Sequence, residues 1–70
     1  MSHAGIGSTL RKLRGKKSRA DVAMNVGISI SALAMYERGE RVPRDEIKLR
    51  IAQFYGKSVQ EIFFNHFEYK

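Results

Sequence analysis

Two serines, Ser18 and Ser29, each head a short run that closes on a glycine, Gly27 for the first and Gly39 for the second. A Ser hydroxyl accepts a hydrogen bond from an unpaired N–H of a helix's first turn. A glycine just past the last turn takes the left-handed conformation that ends a helix. The stretch "SRADVAMNVGISISALAMYERG" therefore reads as two short helices meeting at a tight turn. Ser18 and Asp21 make a capping-box arrangement, with Asp in place of the usual Glu or Gln. Ala23 is small enough to let the two helices approach, and Ile28 can plug the gap between them.

The rest of the chain repeats the same grammar. Ile6, Leu10 and Leu13 recur at the spacing of one helix face, and Gly15 closes that helix. Pro43 biases Val42 away from helix and marks a boundary. A fourth helix is expected at roughly Asp45 to Tyr55, with Asp45 and Glu46 at its positive end. Ile47, Ile51, Phe54 and Tyr55 share a face, while Leu49 and Ala52 point elsewhere, which predicts packing on more than one side. Ser58 and Glu61 form a full capping box for a fifth helix carrying Val59, Ile62 and Phe63. No strand, repeat or low-complexity tract stands out. The fold class is all-α, a compact five-helix bundle. One domain is expected over residues 1–70, with a core at about 6–64 and an aromatic tail at 65–70.

With 70 residues and no cysteine, the chain has neither a large core nor a disulfide or thiolate–metal staple. A tight helical bundle or dimerisation is the remaining route to stability. The absence of Cys fits a reducing compartment. The N-terminal "MSHAGIGSTL" has neither the basic start nor the apolar centre of a signal peptide, and no apolar run is long enough to span a bilayer. A cytoplasmic location, associated with a bacterial nucleoid, is expected.

The net charge of +6 comes from 13 basic residues against 7 acidic ones. Arg11, Lys12, Arg14, Lys16, Lys17 and Arg19 crowd together, and Arg38, Arg41 and Arg44 form a second group. This is either the footprint of a polyanionic partner or a solvated surface, and charge alone does not decide between them.

Helix 2, the turn at Gly27 and helix 3 make a helix-turn-helix in outline. On helix 3, Leu33 and Tyr36 lie on the buried face with Ser29 and Glu37 beside them. At about 100° per residue, Ser31, Met35 and Arg38 cluster on the opposite face, with Ala34 bordering them and Ile30 at the edge.

The segments "LRKLRGKKSRADVAMNVGIS", "ALAMYERGERVPRDEIKLRIAQFYG" and "KSVQEIFF" resemble the Cro/repressor-type helix-turn-helix family of bacterial and phage transcription regulators, the xenobiotic-response-element type. The resemblance runs from about Ile6 to Phe64, and it implies the five-helix fold and a double-stranded DNA operator as partner. By position it implies base readout by Ile30, Ser31, Ala34 and Met35. It implies backbone contacts by Arg19, Ser29, Arg38, Arg41 and Arg44, and a structural ion pair between Arg14 and Glu37. It also implies a homodimer meeting two half-sites about one helical turn apart, roughly 34 Å, and makes a phage or mobile-element origin plausible. Two features depart from the family form. The "GKK" loop is about two residues shorter, with Lys17 where an apolar residue commonly stands, so helix 1 ends a half-turn early or packs at a changed angle. The reading face is also poor in hydrogen-bonding groups.

Three readings of that face compete. It reads DNA by shape and by contact with thymine methyls; it binds protein, as an antirepressor or antitoxin-like partner would; or its apolar residues are incidental. An enzyme is not expected. His3 and His66 stand alone near opposite ends, no nucleophile has a His and a carboxylate in attendance, and no Gly-rich phosphate loop is present. No metal, cofactor or small-molecule effector is expected. Leu49, Phe64, Phe67 and Tyr69 are the candidate dimer surface; the alternative is a tail that folds back to finish a monomer's core.

Overall fold

The computed structural model describes residues 4–64 of the chain. Five helices follow one another: α1 (Ala4–Arg14), α2 (Arg19–Val26), α3 (Ile30–Glu37), α4 (Asp45–Tyr55) and α5 (Gln60–Phe64), the last a single π-helical turn. Helix α3 packs against α1 and α2, α4 packs against α2, and α5 closes onto α1. Among the described residues no helix is long and apolar enough to cross a membrane.

Local chemistry sets the boundaries. Ser18 Oγ accepts from Asp21 N–H at 3.0 Å and Ser29 Oγ accepts from Ala32 N–H at 2.9 Å. Ser58 and Glu61 make both arms of the capping box: Ser58 N–H donates to Glu61 Oε1 at 2.9 Å, and Glu61 N–H donates to Ser58 Oγ at 3.0 Å. Ser18 and Asp21 make only the second of these arms, Asp21 N–H to Ser18 Oγ, since Asp is one methylene shorter than Glu. Gly27, at φ 87°, turns the chain between α2 and α3, and its N–H and that of Ile28 both donate to the Ala23 carbonyl, at 2.8 and 3.0 Å. Only a residue without Cβ takes that conformation cheaply.

The core joins one face of each helix. Leu10 from α1, Val22 from α2, Leu33 from α3, Ile51 from α4 and Ile62 and Phe63 from α5 are almost entirely withdrawn from solvent. Ile28, in the turn, packs against this cluster. On α4 the buried set is Ile47, Ile51 and Ala52, while Phe54 and Tyr55 are half-buried. Ala52 thus belongs to the core face and not to a separate one, and Leu49 is left exposed. Before the short loop, α1 runs to Arg14, directly ahead of Gly15. Arg14 Nη1 donates to the Lys17 carbonyl at 2.9 Å, and Lys17 N–H donates to the Arg14 carbonyl at 3.0 Å, so the corner is closed by hydrogen bonds instead of by an apolar residue at position 17.

Candidate nucleic-acid interface

Glu37, the last residue of α3, is wholly buried and gathers three arginines. Arg14 Nε donates to Oε2 at 2.8 Å, Arg19 Nε donates to Oε1 at 2.9 Å, and Arg11 Nη1 donates to the Glu37 main-chain carbonyl. A buried carboxylate is tolerated only when its lone pairs are filled by such donors. The hydrogen bond from Arg14 to Glu37 raises the Arg14 pKa further above its ordinary value. Helix α1 reaches Glu37 because Gly7 has no side chain: a Cβ there would fall onto the Glu37 carbonyl and within 3.1 Å of the Gly39 nitrogen. The arginine cluster fixes α1, the start of α2 and the end of α3 relative to one another.

That frame presents the outer arc of α3. Ile30 is 52% exposed, Ser31 is exposed and Met35 half-buried. Ala34 differs from the sequence expectation: it is buried, at 8% exposure. Counting about 100° per residue, position 34 falls at the edge of the arc that Leu33 and Glu37 bury. It therefore offers less side-chain surface than Ile30 and Ser31. Ile30 is exposed for the opposite reason, since it stands at the helix start, beyond the core.

The arginines expected to hold the DNA backbone are in different states. Arg19 turns its Nε edge to Glu37 while its side chain stays 35% exposed. Arg38 is exposed and paired with Glu40, with Nε 2.9 Å from Oε2. Among the described residues Arg41 and Arg44 have no acidic partner, and both are exposed. They line an open groove of about 440 Å³ together with Ser29, Tyr36, Ile47 and Arg50. Ser29 uses its oxygen to cap α3, which leaves its O–H proton available to an outside acceptor. Arg50, unremarked in the sequence, donates to Glu46 at 2.8 Å and to the Gly27 carbonyl at 3.4 Å, tying α4 to the turn. The roles of Arg11, Gly7 and Arg50 escape a reading by helix face, because all three act across elements. A glycine between Ile6 and Leu10 in an otherwise regular helix is the one local signal that another backbone passes close by.

On the far side of α4, Leu49 is 55% and Phe64 41% exposed, and both line a shallow depression with Val59 and Lys48. The Lys48 ammonium lies 5.0 Å from the Phe64 ring centre. Phe67, Tyr69, His3 and His66 lie outside the described residues.

Residues 9–62 match the helix-turn-helix family (HTH_3). The chain belongs to that family. As a Cro/repressor-type helix-turn-helix protein it is a DNA-binding transcription regulator. Its fold is similar to that of the restriction-modification controller protein C.AhdI from Aeromonas hydrophila, with a TM-score of 0.77 and 29% identity over 86% of this chain and 94% of that one. It is similar as well to the clp gene regulator ClgR from Corynebacterium glutamicum, with a TM-score of 0.76 and 24% identity over 86% of this chain and 66% of that one. A second structure of ClgR matches at a TM-score of 0.76 and 20% identity over 97% of this chain and 95% of that one. At these identities the ClgR likeness bears on the fold alone. A comparison with curated protein sequences finds no match.

Proposed function

We propose that this helix-turn-helix regulator is a sequence-specific repressor that occupies a palindromic operator as a homodimer. The observation that carries the reading is the outer arc of α3, exposed Ile30 and Ser31 with half-buried Met35, with Arg19 before it in the chain and Arg38, Arg41 and Arg44 after it. Ile30 and Met35 pack on thymine methyls and Ser31 hydrogen-bonds a base edge in the major groove. The buried Ala34 lets the helix come close to the bases. Arg19, Ser29, Arg38, Arg41 and Arg44 hold the phosphates and supply most of the affinity, while the α3 face supplies the choice of site. The arc contains few hydrogen-bonding groups, so sequence-dependent DNA shape carries part of the selectivity.

The dimer reading is supported by the exposed apolar pair Leu49 and Phe64 on the side of α4 away from the core. Phe67 and Tyr69 are proposed to extend that surface. The single domain, the cytoplasmic, nucleoid-associated location and the phage or mobile-element origin belong to the same reading. The likeness to a restriction-modification controller protein supports a role in control of transcription.

Selection of bound duplexes from a random pool tests the reading. An enriched palindrome with half-sites about 34 Å apart is expected. No enrichment overturns the operator reading and favours a protein partner for the α3 face.

A further inference from the structure

Arg38 and Glu40 meet edge to edge at the end of α3. Nε donates to Oε2 at 2.9 Å and Nη2 donates to Oε1 at 3.2 Å. The backbone pre-sets this pairing. Gly39 N–H donates to the Tyr36 carbonyl at 3.1 Å and Glu40 N–H to the Met35 carbonyl at 2.9 Å, so the helix-ending turn itself brings position 40 beside position 38. The mutual hydrogen bonds hold the Glu40 carboxyl below its ordinary range and the Arg38 guanidinium above its own.

A guanidinium offers parallel N–H donors to an oxyanion, and a carboxylate and a phosphate fit it in the same way. Arg38 lies on the same outer arc of α3 as Ser31 and Met35. The edge of Arg38 that suits a DNA phosphate therefore already holds a carboxylate, whereas Arg41 and Arg44 have no acidic partner among the described residues. We propose that Glu40 is an internal competitor of the DNA backbone for Arg38, an autoinhibitory contact that lowers affinity for duplexes of every sequence. This rests on the backbone role proposed above for Arg38.

The consequence is a lower affinity overall, with the order of sites unchanged. Phosphate contacts are blind to sequence and dominate non-specific binding. A carboxylate that occupies one of them, and repels the phosphate once displaced, weakens wrong sites as much as right ones and leaves the decision to Ile30, Ser31 and Met35. Both side chains of the pair are about half exposed, at 51% and 52%. Exposed pairs open at small cost, so Glu40 tunes binding instead of blocking it, by about two- to fivefold.

Fluorescence anisotropy with a labelled duplex of mixed sequence tests this in four proteins: wild type, Glu40→Gln, Arg38→Ala and the double variant. The expected result is about two- to fivefold tighter binding by Glu40→Gln. In the Arg38→Ala background the same Glu40 change is expected to add no comparable gain. An equal gain in both backgrounds means that Glu40 acts as a distant charge and overturns the competition, as does a Glu40→Gln protein that binds no tighter than wild type. A wild-type protein that binds no duplex at all overturns the DNA-binding reading itself, and the Glu40 proposal with it.

Discussion

Arg14 and Glu37 stand 23 positions apart in the chain, and Arg14 Nε lies 2.8 Å from the fully buried Glu37 carboxylate. Arg19 meets the other oxygen of the same carboxylate at 2.9 Å. One buried acid thus fixes the end of α3, whose outer arc is the proposed reading face, to the end of α1 and the start of α2. The stability of the bundle and the aim of that face depend on the same few atoms.

Removing one arginine leaves a buried charge short of a donor, which is far more costly than losing an exposed pair. Arg14→Ala is expected to destabilise the protein by about 3 kcal/mol. Arg19→Ala is expected to cost less, because its side chain is 35% exposed against 20% for Arg14. Urea unfolding followed by circular dichroism measures both; equal and negligible losses contradict the structural role of Glu37.

Gly7 faces the Glu37 carbonyl at a distance that leaves no room for a methyl group. Gly7→Ala raises helix propensity and on that ground alone would stabilise α1. The expected outcome is the reverse, a loss of about 1–3 kcal/mol from overpacking, read as a lower midpoint in the same urea experiment.

The Tyr55 hydroxyl is buried without a hydrogen-bond partner among the described residues, and burial, followed by the nearby Glu37 charge, pushes its pKa up to about 12. The folded protein therefore holds the phenol neutral at pH values where the unfolded chain, with a pKa of about 10, has ionised. The stabilisation is complete below about pH 10 and is lost as pH rises through about 12. Unfolding measured across that range should show the loss, and Tyr55→Phe should flatten it. A Tyr55→Phe protein with an unchanged alkaline profile contradicts the assignment.

Ser58 and Glu61 hold the start of α5 in a reciprocal pair, and their hydrogen bonds lower the Glu61 pKa. A carboxylate with a depressed folded pKa stabilises above its unfolded value and loses that contribution as pH falls through the folded one. Glu61→Gln should remove this part of the acid-side loss. Ser58→Ala should cost about 1 kcal/mol near neutral pH, with the largest effect on amide exchange in α5, where Ile62 and Phe63 enter the core.

Much of this was legible along the chain. The serine caps at positions 18, 29 and 58, the glycine turn and the helix faces are local, and each depends on residues within about one helical turn. The ion pair of Arg14 and Glu37 was reachable only through the family resemblance, since no local pattern links residues in different helices. The recruitment of Arg19 and Arg11 to the same Glu was not legible for that reason. The burial of Ala34 was not legible, because a residue on the border of two helix faces is not assigned by its angle on its own. Ala52 shows the same thing on α4.

The central claim is that arginines supply the affinity of an apolar reading face, and the salt dependence of duplex binding tests it most directly. Anisotropy titrations with the selected duplex, from about 50 to about 200 mM salt, are expected to show log affinity falling linearly and steeply with log salt. Arg44→Ala should lower that slope by about one and leave the order of preferred sequences intact, whereas Met35→Ala should alter the order and leave the slope. Binding whose strength does not change with salt, or an Arg44→Ala protein with the wild-type slope and a changed order of sites, contradicts the account.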